Sequence, residues 1–243
     1  MKTSLTGLDA GETEKWLAQL GFETFRACQI RQWIFKKFVN SFRDMTNLPK
    51  SLRNLLTEKA SISQLEITKK QVSKDGTEKF LFELNDGNLI ESVLIPERDH
   101  ATLCISSQVG CGMNCRFCLT GRLGLKRNLE PAEIIEQVIE VKKSLHNPDK
   151  LTNIVFMGMG EPLANYEAVI KALGNIINEN GMNFSHRKVT VSTCGLVPGI
   201  KRIGQDVTVN LAISLNAADD VVRDFLMPVN TKYPLKDLIS ACR

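Results

Sequence analysis

No stretch of this 243-residue chain approaches the roughly 18 consecutive apolar residues that a membrane-crossing helix needs. The opening residues, Met1-Lys2-Thr3-Ser4-Leu5-Thr6-Gly7, carry no apolar signal-peptide core. Histidine is scarce, at three residues, and aromatic residues make up only 6%. The seven cysteines are odd in number, so a framework made only of disulfides would leave one over. A cytoplasmic protein is therefore expected, with some cysteines binding metal or reacting. What remains is ordinary globular composition, 43% hydrophobic and 24% charged. Net charge is only +4, but residues 26–59 hold eight basic residues against Asp44 and Glu58. That basic set is Arg26, Arg31, Lys36, Lys37, Arg43, Lys50, Arg53 and Lys59.

The apolar pattern divides the chain in three. Over residues 13–59, Trp16/Leu17/Leu20 and Ile30/Trp33/Ile34/Phe38 repeat at helical spacing, and a third helix follows the break at Leu48-Pro49. From Gln64 to Pro96 the period falls to two around the turns Asp75-Gly76 and Asp86-Gly87, which predicts a small antiparallel sheet. Beyond His100, short apolar runs alternate with helical segments, the pattern of strand-helix units and a parallel sheet. Strands are expected at 102–106, 153–157, 188–192 and 208–214, and helices at 131–144, 165–178, 198–203 and 218–226. A further helix starts at Pro234. The resulting domains are a helical unit at 1–60, a β extension at 61–99 and an α/β core at 100–243. Four strands are too few to close a barrel.

The strongest chemical signal is Cys111-Gly112-Met113-Asn114-Cys115-Arg116-Phe117-Cys118, in the loop after the first core strand. Three thiols so close together suit one face of an iron-sulfur cluster. A zinc knuckle would need a fourth ligand, and no Cys or His lies at a matching spacing. In a parallel strand-helix array, ligands sit at the carboxyl ends of the strands. The other tips are Met157-Gly158-Met159-Gly160-Glu161-Pro162, Ser192-Thr193-Cys194-Gly195 and Ser214-Leu215-Asn216, small or polar where a core would be apolar. Gly158 and Gly160 permit close backbone approach, and Glu161 can receive an ammonium group.

The CxxxCxxC loop with the GMGEP tip resembles the radical S-adenosylmethionine (SAM) superfamily. The segments 104–111, 120–129, 157–163, 197–199 and 227–230 resemble, more narrowly, its adenine-C2 RNA methyltransferases. This resemblance implies a partial (β/α) barrel of the radical SAM type, preceded by the helical domain and the small sheet. It implies a 4Fe-4S cluster on Cys111, Cys115 and Cys118, with SAM bound by Gly160, Glu161, Ser192, Ser214, Leu215 and Asn216. Asn216 stands where many relatives have histidine. Glu91 matches the proton acceptor. Cys104 matches a reactive cysteine that helps release the enzyme-RNA adduct and pairs transiently with the methyl-carrying cysteine.

Two SAM molecules are implied, one methylating that cysteine and one yielding a 5′-deoxyadenosyl radical. The implied product is 2-methyladenosine in 23S rRNA and tRNA, with an electron donor such as flavodoxin and a monomeric enzyme. The target base must be exposed, because carbon 2 is buried in a stacked helix. Arg116, Arg122, Lys126 and Arg127, an acid-free set in sequence, are expected to join the N-terminal helices in meeting RNA phosphates. In the family, the methyl-carrying cysteine and a further SAM-binding asparagine lie in a C-terminal segment without a match in these residues. Cys242 sits in a different context and is not assigned that role. A C-terminally truncated chain is expected, able to cleave SAM but not to complete methylation. Cys28 and Cys194 read as small buried hydrophobes. The rival readings are a C8-adenine rRNA methyltransferase and a non-catalytic RNA-binding fragment.

Overall fold

A computed structural model describes residues 2–62 and 65–243. Met1, Ser63 and Gln64 lie outside the described residues, Gln64 being the expected start of the sheet. A two-residue strand β1 (Thr3–Ser4) leads into α1 (Ala10–Gln19), α2 (Arg26–Phe35) and α3 (Lys50–Lys59). A second short strand, β2 (Ala60–Ser61), pairs parallel with β1 and brackets the three helices. Asp9 starts α1 through a reciprocal capping box: its carboxylate accepts from Glu12 N at 2.8 Å, and Glu12 accepts from Asp9 N at 2.9 Å. Leu17, Ile30, Ile34, Leu52 and Leu56 fill the interior between the helices.

The strands β3 (Glu66–Val72), β4 (Glu78–Glu83) and β5 (Leu89–Pro96) form the antiparallel meander that the period-two pattern predicts. It is not a separate sheet. Ile95 and Pro96 stay in register with Thr102 and Ala101 across a tight turn, so β5 pairs antiparallel with β6 (Ala101–Cys104). Extension and core thereby share one seven-stranded sheet, in the order β11-β10-β9-β6-β5-β4-β3.

Its parallel part consists of β6, β9 (Leu151–Phe156), β10 (Val189–Thr193) and β11 (Asn210–Ile213). β6 ends two residues earlier than expected, and the chain then turns into an unanticipated hairpin of β7 (Gln108–Gly110) and β8 (Leu125–Asn128). The cysteine loop and a single-turn helix α4 (Leu119–Arg122) fill the hairpin's end.

The crossover helices are α5 (Pro131–Ser144), α6 (Tyr166–Ile177) and α7 (Val197–Asp206); α8 (Asp220–Leu226) and α9 (Leu235–Ala241) follow β11. Leu103, Ile154 and Val191 point from successive strands toward the helices, where Ile135, Val138, Val169 and Leu173 belong to the same apolar core. On the opposite face Cys104, Val155 and Ser192 are only half-buried. Period-two alternation thus gives the sheet one sealed face and one open face.

A buried polar seam fastens the helical unit to the core. Arg31, 1% exposed, donates to Asn175 Oδ1 at 2.7 Å, Leu8 O at 2.9 Å and Asn180 O at 3.2 Å. Thr6 Oγ1 donates to Glu136 Oε1 at 2.6 Å. Arg31 therefore does not belong to the basic outer face, because its neutral acceptors lie inside. Replacing it with Met should destabilise the protein by about 2–4 kcal/mol, since buried acceptors are left without donors. Urea denaturation checks this: an unchanged midpoint and slope would show the seam contributes nothing.

Candidate active site at the strand tips

The cysteine loop is held at its neck. Cys111 N donates to Gly124 O at 3.0 Å, and Gly110 has φ +75°, where a Cβ would lie 1.9 Å from that same oxygen. Within the loop, Cys118 N donates to Cys115 O at 3.0 Å and Asn114 takes φ 55°. Across the loop, Arg116 N donates to Leu226 O at 2.9 Å, and its guanidinium stacks 4.0 Å over the Phe225 ring. The loop is therefore pinned to β8 on one side and α8 on the other.

Cys111, Cys115 and Cys118 line one cavity of about 280 Å³. Its other walls are strand tips: Met157, Gly158, Gly160 and Glu161 after β9, Ser192 and Cys194 from β10, and Ser214 after β11. Burial, then the neighbouring Cys111 and Cys118, pushes the Cys115 thiol up to about 11; burial also raises Cys111. Among the described residues, no three of His, Cys, Asp and Glu are placed to hold a single metal ion. An all-sulfur donor set spread around a cavity fits a polynuclear cluster, in which each thiolate takes a different iron, better than a closed zinc site.

Glu161 is 4% exposed and bridges two tips. Its Oε1 accepts from Leu163 N at 3.1 Å and its Oε2 from Cys194 N at 2.8 Å. Burial raises its carboxyl, and those N–H groups work against the rise. The side chains of Thr193 and Cys194 add hydrogen bonds to the same carboxylate, which fixes it at the cavity wall. The two glycines before it serve the fold. A Cβ on Gly158 would lie 2.7 Å from Ile105 O, and one on Gly160, at φ +102°, 2.6 Å from Gln108 Cβ. The close approach they permit is of the β6–β7 backbone.

Leu215 and Asn216 lie beyond the lining. Both are exposed, and Asn216, at φ 57°, places Nδ2 3.3 Å from Met227 Sδ. Glu91 and Cys104 stand apart from the cavity but share one sheet face. Val93 is the cross-strand partner of Cys104, and Glu91 is two residues before it. Partners and alternate residues share a face, so both side chains stand on the half-open side. Glu91 Oε1 lies 2.9 Å from Lys79 Nζ. Burial pushes the Cys104 thiol up to about 11, opposed by the backbone N–H of Met157, a cavity residue.

Cys194 is buried as expected and also lines the cavity, its thiol raised by burial and by Glu161. One expectation changes. Arg127 is not free for RNA: it donates to Asp86 Oδ2 at 2.6 Å and to both Glu133 oxygens at 2.8 Å. The β4–β5 turn supplies Asp86 from far off in sequence, and the start of α5 supplies Glu133, six residues on. Lys126 Nζ lies 3.2 Å from Asn88 Oδ1, and Arg122 caps Arg116 O at 3.3 Å.

The profile of the ribosomal RNA large subunit methyltransferase N-terminal domain matches residues 3–62, and that of the radical SAM superfamily matches residues 105–243. The dual-specificity RNA methyltransferase RlmN of Geobacter sulfurreducens is 53% identical over 239 residues, which cover 98% of this chain and 65% of that protein. RlmN of Geotalea uraniireducens is 52% identical over 242 residues, covering 100% and 69%. A crystal structure of a radical SAM methyltransferase from Sphaerobacter thermophilus superposes with a TM-score of 0.94 at 42% identity, covering 99% of this chain and 72% of that one.

Gly160→Ala should cost about 1–3 kcal/mol, from strain at positive φ and overlap with Gln108. Thermal denaturation of the metal-free protein checks this; a wild-type midpoint would mean the tip has room to yield.

Proposed function

Because this chain belongs to the RlmN family of the radical SAM superfamily, we propose that it supplies the cluster, SAM and RNA-facing parts of an enzyme that methylates carbon 2 of adenosine in 23S rRNA and tRNA, the methyl-carrying cysteine belonging to the family's C-terminal segment. The observation that carries the reading is the single cavity shared by the three loop thiols and the tips of three parallel strands. Cys111, Cys115 and Cys118 would hold a 4Fe-4S cluster, and Gly160, Glu161, Ser192, Ser214, Leu215 and Asn216 would hold SAM. When bound, these two groups supply a carbon-centred radical after one-electron reduction, which carbon 2 of adenine requires because it is not a nucleophile. A small electron carrier such as flavodoxin is the donor, and the enzyme works as a cytoplasmic monomer.

Glu161 would accept hydrogen bonds from the SAM ammonium in a pocket where few waters compete. Cys104, a neutral thiol near neutral pH, needs a nearby base before it can act as a thiolate. Glu91 stands on the same sheet face and is the proton acceptor in this reading. The open face gives an unstacked base a route to both. The basic N-terminal helices, with Arg122 and Lys126, would hold the RNA backbone.

Anaerobic reconstitution should load about four irons per chain, and Cys115→Ala should abolish the cluster absorption. Stoichiometric zinc without iron-sulfur absorption would overturn the assignment. In RNA binding, reversing the charges of Arg122 and Lys126 should lower the salt slope by roughly one to two, at about 0.7–0.9 per lost phosphate contact. Arg127→Glu should act on stability instead, through repulsion from Asp86 and Glu133; equal slope losses for all three would contradict that division. Mass spectrometry of nucleosides from RNA treated with the protein joined to a family-type C-terminal segment tests the product, and 8-methyladenosine in place of 2-methyladenosine would refute the regiochemistry.

A further inference from the structure

The tips of β10 and β11 meet at a residue with no part in the roles above. Thr193 pairs with Ile213, and Ser214 N still donates to Thr193 O at 2.9 Å. Past this point Arg223 caps the diverging chains. Fully buried, it donates to Cys194 O at 2.7 Å and Ser214 O at 3.3 Å through Nη2, and to Leu215 O at 3.0 Å through Nε. One guanidinium therefore holds three carbonyls from two strands, at positions that line or adjoin the cavity.

The guanidinium is itself aimed. Nη1 donates to Asn230 Oδ1 at 2.7 Å, while Asn230 Nδ2 donates to Asp220 Oδ1 at 2.9 Å and Asp224 Oδ1 at 2.7 Å. The two carboxylates fix which way the amide faces, so its oxygen must face Arg223. Arg223 also sits one turn before Leu226, whose carbonyl receives the cysteine-loop amide of Arg116. Loop, β10 tip and β11 tip are thus all referenced to α8.

We propose that Arg223, oriented by Asn230, is a positioning residue for SAM: it sets the separation of the β10 and β11 tips that form one wall of the SAM site. The inference rests on the reading of that cavity as the SAM site. Guanidinium geometry is required because its donors fan out in a plane toward separate acceptors, whereas a lysine presents three donors at one point.

The test uses the full chain, anaerobically reconstituted, with SAM as the probe. Arg223→Lys keeps the charge and removes the fan; Asn230→Ala leaves Arg223 in place and removes its guide. Both should keep the wild-type iron content. Dissociation constants for SAM should rise about tenfold in Arg223→Lys and about threefold in Asn230→Ala, as expected for losing part of one charged hydrogen-bond set. In SAM cleavage the loss should fall more on KM than on kcat, and the change SAM makes in the electron paramagnetic resonance spectrum of the reduced cluster should be altered. Wild-type affinity in both variants, with the cluster intact, overturns the proposal. If Arg223→Lys does not retain its cluster, wild-type affinity in Asn230→Ala alone overturns it. Wild-type protein that carries its cluster yet binds no SAM overturns the reading of the cavity, and this proposal with it.

Discussion

Strands that diverge at their carboxyl ends to make room for a ligand leave amides and carbonyls without ladder partners, and a buried unpaired peptide group costs as much as a lost hydrogen bond. Side chains answer this demand around the whole rim. Gln137, from α5, accepts from Ser106 N at 2.8 Å and donates to Ser106 O at 3.0 Å. Gln108 accepts from Glu161 N, Asn165 donates to the carbonyls of Ser107 and Leu129, Glu161 accepts from Cys194 N, and Arg223 closes the far side. Without these replacements the tips would either stay zipped, leaving no cavity, or open onto water. The cavity exists because polar side chains continue the sheet's hydrogen bonding where the sheet stops.

The sequence discloses some of this and conceals the rest, for physical reasons. Periodicity registers burial averaged over an element, so it locates the helices around Trp16, Ile30 and Ile135 and the strands through Ile154 and Val191. The CxxxCxxC spacing is local chemistry and needs no fold to be legible. Strand pairing leaves no such trace: periodicity marks neither the β5–β6 join across its tight turn nor the β7–β8 hairpin. Buried polar residues are concealed most. Arg31 and Arg127 count as surface charge in a linear reading, yet one is enclosed by carbonyls and the other clamped by two carboxylates. Cys194 lies in a tip that its neighbours do mark, Ser192-Thr193-Cys194-Gly195, but a small thiol there reads equally well as core filling. Ser106, Ser107 and Gln108, three buried polar residues just past β6, belong to the same rim network.

Joining the antiparallel meander to the parallel strands also has a cost and a use. A central β6 pairs antiparallel on one side and parallel on the other, so its open face connects two chemically different regions. The half-open side carries Glu91 and Cys104 on adjacent strands, and the sealed side carries the apolar core. Side chains on that face can then be rigid without being enclosed, because the packing that immobilises their strands lies behind them.

The neck of the β7–β8 hairpin bears on how metal enters the protein. Closing a flexible loop around an inorganic centre normally opposes binding through lost chain entropy. Here the ends of the cysteine loop are already brought together by protein hydrogen bonds, with Gly110 packed onto Gly124 and Arg116 fastened to α8. Folding therefore bears the entropic penalty of loop closure, and a cluster of the kind proposed would meet thiols that are gathered beforehand. Assembly of such a centre and assembly of the polypeptide would then be separate equilibria.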